Sequence, residues 1–231
     1  MGKTDTLNHF ALHAGWSGHL PIIFSLEMSR KSMIDRLIAA TGGYSRLRMR
    51  NPYLYFTDTQ NEQWTEAMMK LDESSIHIDD RSALKVSQIK ETARKIIKEN
   101  PGRHPVIFID YLQIIRPDGN PGNQTQMIGQ ISADLKNMAK EFNCPVVVLS
   151  QLSRAVEQRQ DKRPLMSDLR DSGNIEQDAD VVAFLYREDY YKAKAVPTNE
   201  LEIVIAKKRN GPTGRVKISY FKESGTLSEI E

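Results

Sequence analysis

The stretch PVIFID, residues 105–110, is an unbroken apolar run that ends in a carboxylate. Three further runs share its apolar, largely β-branched character: PIIFS at 21–25, PVVVLS at 145–150 and DVVAFLY at 180–186. None of them alternates with polar residues, which is typical of strands buried on both faces of a parallel sheet. The runs therefore predict a mainly parallel sheet, to which a weaker strand at 75–78 is added.

Helical periodicity fills the segments between these strands. Apolar residues recur on one side of predicted helices at 61–71, 86–97 and 128–142. The segment around 41–75 is predicted to be a helical addition. Strands and helices alternate along the chain, so the sequence predicts an α/β fold with helices flanking a central sheet.

The C-terminal part of the chain has a different pattern. Predicted strands at 201–208 and 215–221 flank the turn sequence Asn-Gly-Pro-Thr-Gly at 210–214. Two strands joined in this way form an antiparallel hairpin. We therefore expect a mainly parallel sheet with an antiparallel edge.

Composition bounds the class of protein. The chain has 231 residues, of which 39% are hydrophobic, so one core is expected, and no linker divides the chain. A net charge of +2 neither favours nor excludes nucleic acid, because basic groups can be confined to a few loops. The one cysteine, Cys144, excludes an internal disulfide and favours a reducing compartment.

Other classes of site are disfavoured. No apolar run approaches the roughly 20 residues that a membrane span needs, and the opening residues do not resemble a signal peptide. The five histidines show no metal-ligand spacing with Cys144, so no zinc site is expected.

Gly2, Lys3 and Thr4 open a predicted helix and match the last part of the G-x-x-x-x-G-K-[ST] phosphate loop. In that loop the lysine reaches the β/γ oxygens of a nucleotide and the threonine hydroxyl holds Mg²⁺. An ordinary helix start capped by Thr4 or Asp5 would have the same sequence. The strand and first glycine of the loop do not precede the tripeptide here, so we expect a loop truncated at its front.

Asp110 ends the strand at 105–110, where α/β sheets bind their ligands, and its carboxylate can hold Mg²⁺ through water. The alternative is a helix-capping aspartate after a core strand. Because Gly-Lys-Thr lies upstream in the same chain, we favour the metal ligand.

Glu27 and Gln151 each follow another predicted strand. A carboxylate at Glu27 could polarise the attacking water, although a first-turn glutamate that favours the helix dipole is the simpler alternative. The amide of Gln151 could sense a γ-phosphate or could lie on an ordinary surface loop.

Several motifs match one family in the same order along nearly the whole chain. They are GKT at 2–4, SLEMS at 25–29, IDYLQ at 109–113, LSQLSR at 149–154, RPLMSDLRDSGNIEQDAD at 163–180 and KKRNGPTG at 207–214. This series resembles the DnaB-type hexameric replicative helicases of bacteria and phages, within the RecA-like motor class. The stretch at 163–180 is the most specific part of the match.

The resemblance implies roles at the nucleotide. Gly2 belongs to the phosphate loop, Lys3 is its phosphate-binding lysine and Thr4 its Mg²⁺-binding threonine. Glu27 is the catalytic glutamate and Asp110 the Mg²⁺-coordinating aspartate. Gln151 links the γ-phosphate to the DNA loops.

The resemblance also implies that Lys207 and Arg209 form a pair that acts in trans on a neighbouring subunit's nucleotide. Two positions apart on a predicted strand, they point to the same side. From the residues alone, a solvated basic strand edge is the favoured alternative.

Arg170, Asp171 and Gly173 match the loop that tracks the phosphates of single-stranded DNA, with Asp171 where the family more often has Glu. A polar, glycine-containing loop suits sequence-independent contact with the DNA backbone. Its acid excess would oppose binding if every carboxylate faced the DNA, so some are expected to face neighbours or solvent.

Taken together, the resemblance implies a RecA-like P-loop NTPase fold, with residues 1–231 forming one motor domain truncated within the phosphate loop and lacking the family's N-terminal domain and linker. It implies ATP and Mg²⁺ as cofactors, single-stranded DNA and a hexameric ring of identical chains as partners, and the cytoplasm as the location. Primase and a helicase loader would bind through parts that are partly absent here. Two alternatives stay open: a recombinase-like or DNA-binding scaffold on the same fold, and a fragment unable to hydrolyse ATP.

Overall fold

A computed structural model of the protein describes residues 2–119, 122–172, 174–191 and 198–230. The strands are β1 (Leu20–Ser25), β2 (His77–Asp79), β3 (Pro105–Asp110), β4 (Val146–Val148), β5 (Val181–Tyr186), β6 (Glu200–Lys208), β7 (Gly214–Phe221) and β8 (Thr226–Ser228). The α-helices are α1 (Lys3–Trp16), α2 (Arg30–Gly42), α3 (Pro52–Tyr55), α4 (Asp58–Glu73), α5 (Val86–Glu99), α6 (Gln124–Glu141), α7 (Ile175–Asp178) and α8 (Glu188–Tyr191).

The first four strands form a parallel sheet in the order β2-β1-β3-β4. Ser25 pairs with Asp110, and Ile109 pairs with Val148, so the carboxyl ends of three strands lie at one edge. The predicted parallel sheet is confirmed for these strands. β4 is shorter than the predicted run at 145–150.

The remaining strands form a second, antiparallel sheet in the order β5-β6-β7-β8. The predicted hairpin is confirmed as β6 and β7. The prediction that β5 belongs to the parallel sheet is wrong, because it pairs antiparallel with β6. Its residues alternate between exposed and buried, and the exposed positions, including Val181, are apolar as well. An apolar side chain on both faces hides this alternation from the sequence.

The core covers both faces of the parallel sheet. Alternate residues of β3 point to opposite sides: Ile107 and Ile109 pack into the cluster that includes α5 and α6, and Phe108 into the cluster under α1 and α2. All three are almost fully buried. The absence of polar alternation in the sequence therefore has the predicted cause.

The helical addition at 41–75 is also present. α4 begins at a capping box in which Thr57 and Gln60 satisfy each other's backbone N–H groups. Tyr44, Phe56 and Trp64 pack their rings together beneath it, with centroids 5.1–5.7 Å apart. Within the described ranges, no helix combines the length and apolar character needed to cross a membrane.

Candidate functional site

The predicted nucleotide residues meet at the carboxyl edge of the parallel sheet. Asp110 ends β3 and is 3% exposed. The Thr4 hydroxyl at the start of α1 donates a hydrogen bond of 2.7 Å to its Oδ2. The two residues are 106 positions apart in sequence, and the parallel sheet brings them together beneath the start of α1. Hydroxyl and carboxylate oxygens are the donors that Mg²⁺ prefers, so this pair fits the predicted metal ligands.

Gly2 precedes α1 in a left-handed conformation with φ of 93°. A side chain with a Cβ is strained at this φ, and an ideal Cβ there would lie 3.2 Å from the Tyr220 ring. The Gly2 carbonyl accepts hydrogen bonds from the Thr6 amide and the Thr6 hydroxyl. The glycine thus permits both the turn into α1 and its close approach to β7.

Lys3 lies among carboxylates in a partly buried position. Burial lowers the pKa of its ammonium, and the charges of Asp110 and Glu27 oppose that change. Burial also raises the pKa of Asp110, assisted by the charge of Glu27, whereas the Thr4 hydrogen bond and the charge of Lys3 lower it. A cation therefore faces two carboxylates, as an anion-binding site with an adjacent metal site requires.

Glu27 lies on the exposed loop between β1 and α2, two residues after β1 ends. Its charge acts on both Lys3 and Asp110, so the fold brings it into the same group of residues. The exposed carboxylate is open to water, which suits the polarising role predicted for it.

Gln151 follows β4 at the same edge of the sheet. Its amide N–H donates to Gln113 Oε1 at 3.2 Å, and Gln113 Nε2 donates in return to the Gln151 carbonyl at 3.2 Å. Gln113 Nε2 also donates to the Ser150 hydroxyl at 2.9 Å. These contacts hold the backbone of Gln151 beside the segment that follows Asp110 and leave its side chain exposed.

Asp5 joins α1 to the antiparallel sheet. Its buried carboxylate accepts hydrogen bonds from Tyr220 at 2.6 Å, Arg36 at 3.0 Å and Arg46 at 2.8 Å. Burial, together with Asp5, raises the pKa of Tyr220 to about 12. Sequence reasoning considered Asp5 only as a helix cap, because its partners are distant in the chain.

A cavity of about 360 Å³ opens beside Gly2. Its lining residues are Gly2, Arg36, Arg46, Arg187, Asp189, Tyr190, Tyr220 and Lys222. The Arg187 guanidinium lies 4.8 Å from the centre of the Tyr220 ring and bonds Asp189 at 2.6 Å. Sequence reasoning missed this cavity, because no spacing signal connects α2, β5 and β7.

Lys207 and Arg209 lie near the end of β6, and their described contacts are with residues 176–180. Lys207 Nζ donates to the Glu176 carbonyl. Arg209 Nη2 donates to the Gln177 carbonyl at 3.4 Å, and Nη1 pairs with Asp180 Oδ1 at 3.1 Å. The two cations thus lie together at the carboxyl end of α7, as their spacing predicts.

The predicted DNA loop is a 3-10 helix over Met166–Ser172 followed by α7. Arg170 and Asp171 lie in that 3-10 helix, where the backbone alone is described, and Gly173 lies outside the described residues. Asp168 is 4% exposed and accepts both a bidentate contact from Arg159 and the Leu165 amide. Its charge is therefore compensated within the fold, which answers part of the question of the acid excess.

The family is shown by comparison with known proteins. Residues 1–229 match the family model of the DnaB-like helicase C-terminal domain. The replicative DNA helicase DnaC of Bacillus subtilis is 46% identical over 210 residues, which cover 90% of this chain and 45% of that protein. The replicative DNA helicase DnaB of Geobacillus stearothermophilus is 46% identical over 213 residues, with the same coverage of each chain. The chain spans about half the length of these curated relatives.

Solved structures agree. A helicase ATPase domain solved on its own superposes with a TM-score of 0.95 at 40% identity, covering 100% of this chain and 81% of that one. A DnaB-like replicative helicase, solved in a study of its interactions with primase, has the same TM-score and identity and is covered to 55%. The RadB recombinase, at 15% identity and a TM-score of 0.56, shares the fold alone. The chain is RecA-like in fold and belongs to the family of DnaB-like helicase C-terminal domains.

Proposed function

We propose that residues 1–231 form the motor domain of a replicative DNA helicase, in which ATP hydrolysis drives movement along single-stranded DNA and separation of the duplex. The hydrogen bond between Thr4 and Asp110 carries this proposal, because it unites the two halves of a nucleotide site from distant parts of the chain. Family membership and 46% identity to replicative helicases support the same function.

ATP is the proposed substrate. Lys3 binds the β/γ oxygens, and the cationic cavity beside Gly2 is close enough to take the remainder of the nucleotide. Thr4 and Asp110 would hold Mg²⁺, which neutralises phosphate charge when bound. Glu27, exposed and next to both Lys3 and Asp110 in charge, orients and polarises the attacking water. Gln151, at the same sheet edge, would sense the γ-phosphate.

The site is proposed to be completed by a second copy of the chain. Lys207 and Arg209 have their described contacts at α7, away from Lys3 and Thr4. An arginine supplied across a subunit interface stabilises the charge on the transferring phosphoryl group. A closed ring, hexameric as in the DnaB family, presents one such pair to every nucleotide site.

Single-stranded DNA is the proposed track. Arg170, Asp171 and Gly173 would contact its phosphates, so binding is sequence-independent and weakens as salt rises. Primase is proposed as a partner from the likeness to a helicase studied with primase, and a helicase loader as another. With one cysteine in the whole chain, we place the protein in the reducing cytoplasm.

A recombinase-like activity is the second candidate, since the fold is shared with the RadB recombinase. The full-length protein on a forked DNA with ATP and Mg²⁺ discriminates between the two. We expect displacement of the annealed strand, and no displacement by an Asp110→Asn variant that melts at the same temperature. Exchange of homologous strands without fork unwinding would replace the helicase proposal by the recombinase one.

A further inference from the structure

Asp180 connects three elements at the start of β5. Its Oδ1 pairs with Arg209 Nη1 at 3.1 Å, and its Oδ2 pairs with Lys136 of α6. Its main-chain carbonyl also accepts the Arg209 amide at 2.8 Å. Arg209 is thus fixed to Asp180 through both its backbone and its guanidinium, and Lys136 anchors the other side of the same carboxylate.

These contacts determine where the cationic pair lies. The Arg209 guanidinium is drawn to the end of α7, where the Gln177 carbonyl accepts from Nη2, and the Lys207 ammonium reaches the preceding carbonyl of Glu176. Without Asp180, Arg209 would retain only a 3.4 Å side-chain contact of those described for it. The carboxylate therefore keeps Arg209 beside Lys207.

Stability does not account for this arrangement. The side chains of Asp180 and Arg209 are both about half exposed, at 52% and 53%. An ion pair of that exposure adds little to folding. A fixed geometry adds much more to catalysis, because a long side chain that is already in place loses less freedom in the transition state. Lys136 and Arg209 both lower the pKa of Asp180, so the carboxylate stays ionised at neutral pH.

We propose that Asp180 is a positioning residue for Arg209, holding its guanidinium beside Lys207 so that the pair is presented together to the nucleotide of the neighbouring copy. Lys136 keeps the carboxylate in place when Arg209 turns toward that nucleotide. This inference rests on the proposed trans role of Arg209.

The test compares Asp180→Ala and Asp180→Glu in the full-length protein. We expect Asp180→Ala to lower kcat for DNA-stimulated ATP hydrolysis by about tenfold, with KM for ATP changed less than about twofold, because Arg209 acts in the transition state. Asp180→Glu, which keeps the charge, should recover more than half of the lost rate. The matched control is Asp134→Ala, which removes a carboxylate from the same helix as Lys136 and should leave kcat unchanged.

Melting temperature and the Arg209→Ala variant separate the possible failures. A wild-type kcat in Asp180→Ala, or an equal loss in Asp180→Glu at unchanged melting temperature, would overturn the positioning role. A loss of kcat accompanied by an equal change in KM or by a lower melting temperature would also overturn it, since that pattern belongs to a structural residue. If Arg209→Ala itself retains turnover, the proposed trans role fails first.

Discussion

Replacing Arg209 with alanine in the full-length protein should lower ATP turnover by roughly 10³–10⁵-fold, the range known for arginines supplied in trans to a phosphoryl-transfer site. Nucleotide affinity should change by less than about threefold, because the described contacts of Arg209 are with Gln177 and Asp180 and not with the chain's own Lys3 or Thr4. Steady-state turnover and equilibrium binding of a fluorescent ATP analogue measure the two quantities separately.

Arg215→Ala is the matched control for that experiment. Arg215 lies on the same hairpin, is 65% exposed, and pairs with Glu202 at 3.6 Å. Its loss removes the same charge from the same region and should leave turnover within about twofold. Equal effects of the two substitutions would mean that Arg209 acts through the general charge of the hairpin, and normal turnover in Arg209→Ala would remove the trans role.

Replacing Lys3 with alanine should lower turnover by at least about 10²–10³-fold, the loss typical when one electrostatic donor is removed from a transition state. Unlike Arg209→Ala, it should also weaken nucleotide binding. The reason is electrostatic: Asp110 and Glu27 both act on the Lys3 ammonium, and without it two carboxylates would face an incoming polyphosphate. Turnover and affinity should therefore fall together.

Lys31→Ala provides the comparison for Lys3. Lys31 is exposed in the first turn of α2, and removing it changes the net charge by the same amount. We expect wild-type turnover in this variant. If Lys3→Ala binds nucleotide as tightly as Lys31→Ala does, then Lys3 is not the phosphate-binding lysine and the phosphate site lies elsewhere.

Local patterns were sufficient to predict the parallel sheet. The apolar run at 105–110 becomes β3 with the predicted bounds, because a strand covered on both faces has an unmistakable composition. The same reasoning failed for β5, whose exposed face is apolar too. Pairing direction depends on which strand lies alongside, and composition does not encode that.

The site divides in the same way. Thr4 and Asp110 could be predicted to meet, since each belongs to a motif whose place in an α/β sheet follows from general rules. The contacts of Asp5 with Tyr220, Arg36 and Arg46 could not, because they join α1, α2 and the antiparallel sheet without any motif. The contacts of Lys207 and Arg209 with α7 also required the fold.

Assembling two defective variants in one ring tests the shared cleft most directly. Arg209→Ala subunits keep their own Glu27, and Glu27→Gln subunits keep Arg209, so random assembly forms a complete cleft at about one interface in four. We predict that full-length subunits co-expressed in this way hydrolyse ATP, whereas neither variant does so alone. A mixture as inactive as its two components would contradict the account, because Glu27 and Arg209 would then serve the same chain's nucleotide.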